Sequence, residues 1–185
     1  RDCLLSRGLG DVYKRQAYSV LIGEKLGLSE DDLKTLRVGG LFHDIGKIGI
    51  PDSILLKESK LTDDEYSEIK SHPAIGAHIL CNAEVFKDII PIVKHHHERY
   101  DGRGYPGQLK GEDIPYFARI ATIADAFDAM TSKRTYRNSL PIDVVRAEIE
   151  RNLETQFDPE IGKVFLDILN NDYDKIEKIK EDYPS

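Results

Sequence analysis

Residues 41–51 read Leu-Phe-His-Asp-Ile-Gly-Lys-Ile-Gly-Ile-Pro, and this stretch decides the fold. An apolar helix face ends in His43-Asp44, and Gly46, Gly49 and Pro51 then break the helix. An imidazole and a carboxylate at an unwinding helix end can both turn into one cavity. Gly46 lets the backbone bend there and admits a close neighbour. The two oxygens of Asp44 could bridge two cations, and Lys47, three residues on, could neutralise a phosphate oxygen or supply a proton. Taken alone, the dipeptide fits a buried His–Asp hydrogen bond equally well, so its reading depends on what the rest of the chain brings to it.

Upstream, Ser29 with Asp32 has the form of a capping box and opens a helix whose face Leu33, Leu36, Leu41 and Phe42 delivers His43. Tyr18 to Leu26 is a further helix, stopped by Gly27. Downstream, Thr62 with Glu65 is a second capping box, opening a helix that runs through Ile69 toward Leu80. His72 lies within it, and Pro73 implies a kink or restart there. Ile89 to His97 is another apolar helix, ending in His95-His96-His97-Glu98. Successive helical side chains point about 100° apart, so at most two of the three histidines face one site. His96 and His97 are the expected pair, with Glu98 holding a ligand imidazole in its tautomer.

A Gly-rich loop follows over Tyr100 to Gly111, with Tyr105-Pro106 at its centre. Pro115 begins a helix that reaches Met130 and carries Asp125 and Asp128 three apart on one face. A carboxylate on that apolar stretch needs a partner. A metal would satisfy Asp125, and Asp128 fits a hydrogen bond or ion pair that positions Lys133 or Arg134. Helices from Pro141 and from Asp158-Pro159 to Leu169 complete the domain, and a polar tail follows. Alternating strands are absent from the pattern, so the expected class is all-α.

The chain has 185 residues, 40% apolar and 32% charged, which fits one globular domain with a sizeable core. That content excludes disorder, and no apolar run spans a bilayer. There is no secretory signal, and Cys3 and Cys81 suggest no disulfide framework, so a cytoplasmic setting and no membrane contact are expected. A net charge of −7 argues against DNA as a partner. From Lys94 to Arg137, however, 8 Lys and Arg face 6 Asp and Glu, which suits a small anion. Residues 1–16 have a scattered pattern and read as a non-native or disordered stretch joined to a domain over 17–185.

Together, HDIGKIGIP (43–51), His72-Pro73, HHERYDGRGYP (96–106) and IADAFDAMTSKRTYR (123–137) resemble the HD-GYP family of metal-dependent phosphohydrolases. The likeness covers about Tyr18 to Leu169. It implies an HD-domain helical bundle with a Gly-rich GYP loop, and an enzyme that hydrolyses cyclic di-GMP to pGpG, in some cases onward to GMP. By this resemblance Asp44 bridges two divalent ions, iron or manganese, with zinc also permitted by the ligand types. His43 and Asp125 would serve one ion, and His72, His96 and His97 the other. Lys47 would contact the phosphate or leaving group, Tyr105 would line the nucleotide pocket, and Arg134 and Arg137 would grip phosphates. The chemistry implied is two-metal hydrolysis of a phosphodiester.

The family's usual upstream histidine falls at Asp11, and its occasional upstream glutamate at Arg7, which leaves the first ion one ligand short. Thr135 stands where proline is more usual. Members often follow a receiver or sensor domain, and a homodimer is compatible with the sequence. Two other readings use the same residues: a catalytically impaired cyclic di-GMP-binding or protein-interaction module, and a di-iron oxygenase. Lys47, Arg134 and Arg137 favour hydrolysis over the latter.

Overall fold

The structure is a computed structural model, and it describes residues 9–57, 59–132 and 139–184. Among these residues the regular elements are helical, with a single isolated bridge between Leu153 and Phe157. Helix α1 spans Leu9–Lys25 and α2 Glu30–Phe42, followed by a 3-10 turn over Ile45–Gly49 and the short α3, Asp52–Leu55. Then come α4 (Asp63–Ile69), α5 (His72–Leu80), α6 (Ile90–His95), α7 (Tyr116–Thr131), α8 (Ile142–Arg151), α9 (Pro159–Asn171) and α10 (Tyr173–Asp182).

Local signals set the helix starts. Ser29 accepts from the Asp32 amide while Asp32 accepts in return from the Ser29 amide, and Thr62 and Glu65 do the same at α4. Each reciprocal cap satisfies donors that a helix N-terminus leaves open, a contribution of about 1 kcal/mol. The restart expected at Pro73 is real. The chain breaks at Lys70-Ser71, and α5 begins at His72 with Pro73 in its first turn, where a missing amide hydrogen costs nothing.

α7 is the central post of the main core. Ile120, Ile123 and Phe127 on α7 are fully buried against Tyr18 and Ile22 of α1, Ile149 of α8 and Phe165 of α9. Tyr18 and Phe165 both meet Phe127 edge-on, at ring centroid distances of 5.0 Å. Each large side chain removed from water here contributes about 1.5–3 kcal/mol. The core fixes α1, α2 and α7 side by side, so residues at the C-terminal end of α2 face the middle of α7.

Residues 9–16, within the stretch set apart as non-native or disordered, form the first turns of α1. Their buried side chains include Lys14 and Arg15, which is why no apolar stripe revealed them. The polar tail is helix α10, whose Ile176 is fully buried, with Tyr173 and Ile179 packed on the main core. Three apolar residues at spacing i, i+3 make a narrow stripe among charges, enough to dock a helix but too few to stand out as a pattern.

Candidate metal centre

Three separate stretches of chain bring their histidines together by one repeated device. His43 caps the C-terminus of α2, His72 opens α5 where the α4–α5 break lies, and His96 caps α6. Each donates its Nδ1–H to the backbone carbonyl three residues earlier: His43 to Gly40 at 2.7 Å, His72 to Ile69 at 2.7 Å and His96 to Val93 at 2.9 Å. A carbonyl can only accept, so these bonds assign the hydrogen to Nδ1 and leave the lone pair at Nε2, on the side away from each ring's own helix turn.

The elements are pinned together closely. A Cβ on Gly46 would lie 1.9 Å from the carbonyl oxygen of His72, so only glycine lets the 3-10 turn carrying Asp44 and Lys47 rest against the start of α5. Thr122 on α7 donates to the His96 carbonyl at 2.9 Å and fixes the end of α6 to the central helix.

Asp44, His72, His96 and His97 offer ligand atoms that all lie within 4.8 Å of one another. His72 Nε2 is 3.4 Å from Asp44 Oδ1 and 3.4 Å from His96 Nε2, and His96 Nε2 is 4.0 Å from Asp44 Oδ1. Both Nδ1 atoms are already donating. The Nε2 contact therefore sets two buried lone pairs face to face, and a cation between them is what that pairing calls for. The residues present thus fit one divalent ion.

Burial lowers the imidazoles' affinity for protons, which suits ligands. His96 is held well below the ordinary range, chiefly by burial, and His97 is pushed down to about 3 by the same cause. For Asp44 burial works to raise the carboxyl, but the facing His43 and Lys47 outweigh it and hold the group well below the usual carboxylate range. Asp125 is likewise lowered against its burial, by Arg15 first. Lys47 pairs with Asp44 Oδ2, and burial nevertheless brings its ammonium below the ordinary lysine value.

Asp125 lines the same cavity and His43 lies buried behind it, and both present their atoms to a cation the sequence reading missed. Arg15 is 3% exposed. Its Nη1 donates to His43 Nε2 at 2.7 Å, Asp44 Oδ2 at 3.0 Å and Asp125 Oδ1 at 3.2 Å, and its Nε lies 3.4 Å from Asp128 Oδ2. No sequence signal marked it, since it lies in the stretch read as non-native or disordered and only distant carboxylates make its charge buriable.

Asp128, fully buried, also accepts from Ser132 Oγ at 2.9 Å. The expected partners Lys133 and Arg134 lie outside the described residues, as does Arg137. Glu98 differs from its expected role. Its Oε1 accepts from the Gly107 amide at 2.6 Å and its Oε2 from the Leu109 amide at 3.2 Å, with His95, not a candidate ligand, at 3.4 Å. The chain turns after His97, which swings Glu98 toward the Gly-rich loop and away from the imidazoles. There it holds the loop down. Gly104 lets that loop return over His97, since a Cβ would lie 2.6 Å from the His97 carbonyl.

The returning loop stacks Tyr105 on His97, with ring centroids 4.9 Å apart and planes at 29°. Burial pushes the Tyr105 hydroxyl well above its ordinary pKa, so it stays protonated. The histidines and Asp44 form one wall of a cavity of about 410 Å3, with Lys47, Tyr66, Tyr105 and Met130 among the other walls. That volume lies in the range of small-molecule sites. A cavity joining a cation cage, an ammonium group and a stacking ring suits an anionic ligand that carries a planar base.

Residues 6–161 match the HD domain family. The chain is 44% identical over 148 residues to a protein of Xanthomonas campestris pv. campestris named cyclic di-GMP phosphodiesterase response regulator RpfG, covering 79% of this chain and 39% of that protein. It is 39% identical over 162 residues to the 3'3'-cGAMP-specific phosphodiesterase 3 of Vibrio cholerae, covering 86% of this chain and 35% of that protein. The chain therefore spans well under half the length of these relatives. Among solved structures, a cyclic GMP-AMP specific phosphodiesterase of V. cholerae superposes with a TM-score of 0.69 at 21% identity, over 95% of this chain and 49% of that one. That likeness concerns the fold.

Proposed function

This chain belongs to the HD domain family, in its HD-GYP branch, and from that premise we propose that it is a metal-dependent phosphodiesterase hydrolysing cyclic di-GMP to linear pGpG. The observation that carries the proposal is the convergence of Asp44, His72, His96 and His97 within 4.8 Å on the wall of a cavity that also holds Lys47 and Tyr105. Relatives named for cyclic di-GMP and for 3'3'-cGAMP support a 3',3'-cyclic dinucleotide as the substrate class.

A bound divalent ion supplies Lewis-acid stabilisation of phosphoryl charge and lowers the pKa of water. Iron or manganese is the proposed identity, and three imidazoles with one carboxylate oxygen also admit zinc. The chain's own residues do the rest. Tyr105 offers its ring to a guanine and so orients the ligand, and its protonated hydroxyl can donate to it. Water adds to phosphorus as the bond from phosphorus to the ribose O3' breaks. Lys47, proton-bearing and of lowered pKa, is the proposed donor of that oxygen's proton. Arg134 and Arg137 belong to the proposal as phosphate contacts, by the family resemblance. A receiver or sensor domain in the full-length protein, a homodimer and a cytoplasmic location belong to it too, the first supported by a relative named a response regulator. No helix of the described residues is long and apolar enough to cross a membrane.

The test is chromatographic. Protein loaded with Mn2+ or Fe2+ is given cyclic di-GMP, 3'3'-cGAMP or cyclic di-AMP, and the products are separated. Release of pGpG supports the proposal. Absence of turnover on all three by the metal-loaded full-length form contradicts it.

A further inference from the structure

The family resemblance implies two ions sharing Asp44, one of them served by His43 and Asp125. The geometry points to a different arrangement: we infer that this chain holds one divalent ion, on Asp44 Oδ1, His72, His96 and His97, and that the guanidinium of Arg15 replaces the other. The inference rests on the metal-dependent reading above and concerns how many ions that site takes.

The atoms a second ion would need are already engaged. His43 donates Nδ1–H to Gly40, so its one lone pair is at Nε2, and Arg15 Nη1 sits on that lone pair at 2.7 Å. The same nitrogen is 3.2 Å from Asp125 Oδ1 and 3.0 Å from Asp44 Oδ2. A metal at that place would have to bind the very atoms the guanidinium holds. Arginine cannot give way by losing its proton, and it has no lone pair with which to coordinate. An ion entering beside it would be repelled by a fixed positive charge.

Asp44 is divided between two tasks. Oδ1 faces His72 and His96, at 3.4 Å and 4.0 Å. Oδ2 faces Arg15, His43 and Lys47. Bridging through both carboxylate oxygens needs each of them open to metal, and here only Oδ1 is. Arg15 is also anchored where it lies. It is buried on α1, with Asp44, Asp125 and Asp128 around it, and it would have to leave all three to vacate the position.

The experiment counts ions. The whole chain is loaded with excess Mn2+, desalted, and measured by elemental analysis and by electron paramagnetic resonance. The unmodified protein is expected to retain one equivalent with the spectrum of an isolated ion. Arg15→Val, or Arg15→Gln if the former loses helical circular dichroism, is expected to double the retained manganese and to give a spin-coupled spectrum. Two equivalents or a coupled pair in the unmodified protein would overturn the inference however the variants fold. So would a folded Arg15→Val that still holds one. No retained manganese in any form would overturn the metal-dependent reading itself, a result distinct from a count of two.

Discussion

Arg15 Nη1 lies 2.7 Å from His43 Nε2, so a residue from the start of α1 fills the lone pair of the histidine that opens the HD dipeptide. The guanidinium is thereby the counter-charge for three carboxylates in the metal-free protein. Removing one partner of a buried ionic cluster costs about 3–5 kcal/mol, because the remaining charges are left uncompensated. Arg15→Met should therefore lower the metal-free protein's unfolding free energy by about that amount. Urea titration measures it, and added Mn2+ should recover much of the loss by neutralising the same carboxylates.

His96→Ala should lower metal content and activity together. His96 Nε2 is one of two buried lone pairs facing each other at 3.4 Å, and an alanine removes one of the atoms an ion would bind. Elemental analysis is expected to give less than about a tenth of the unmodified metal content, in line with the affinity lost when a ligand or its support is removed. Equal metal content in the variant would contradict the assignment.

Glu98→Ala should separate binding from metal content. Glu98 holds the Gly107 and Leu109 amides and has no contact with His72, His96 or His97 among its hydrogen bonds. Hydrogen bonds to a charged acceptor are worth about 1.5–3 kcal/mol, so the loop that carries Tyr105 should loosen. The expected outcome is a KM raised roughly tenfold or more with metal content unchanged, since each 1.4 kcal/mol is tenfold in affinity. Hydrogen exchange at Gly107 and Leu109 should quicken in parallel.

Gly46→Ala should destabilise the protein by about 1–3 kcal/mol, the usual cost of overpacking. The added methyl would lie 1.9 Å from the His72 carbonyl, and the neighbouring atom is backbone that cannot swing aside. Any relief must move Asp44 away from His72, so metal affinity should fall as well. Isothermal titration with Mn2+ reads both the affinity and the count.

The metal-free protein should lose stability as pH falls through the range below neutrality. His97 is held at about 3 by burial when folded, and His96 is lowered by the same cause, whereas both regain an ordinary pKa of about 6.5 when unfolded. Between those values the unfolded chain binds protons that the native chain does not. The stability these buried neutral rings contribute is present in full above about pH 6.5 and is lost as pH falls toward 3. Denaturation midpoints measured from pH 7.5 down to about pH 4 should decline, and His97→Phe should flatten the decline.

The local half of this molecule was legible in its sequence. The capping boxes at Ser29 and Thr62, the restart at His72 and the loop around Tyr105 follow from interactions a few residues apart, and each lies where the pattern put it. Asp44, His72, His96 and His97, singled out in the sequence as imidazoles and a carboxylate at helix ends, do come within 4.8 Å of one another. What could not be read was set by distance along the chain. Arg15 is buried because Asp125 and Asp128, on α7, are there to meet it. Glu98 turns to Gly107 and Leu109 because the loop folds back over it. α10 docks through Ile176 onto a core assembled from α1 and α9.

Crystals grown with Mn2+ and measured at the manganese edge test the central claim most directly. The account predicts one anomalous peak, about 2.0–2.2 Å from the ligand nitrogens and carboxylate oxygen, among Asp44 Oδ1, His72, His96 and His97. A peak between His43 and Asp125, or none within the cavity, would contradict it.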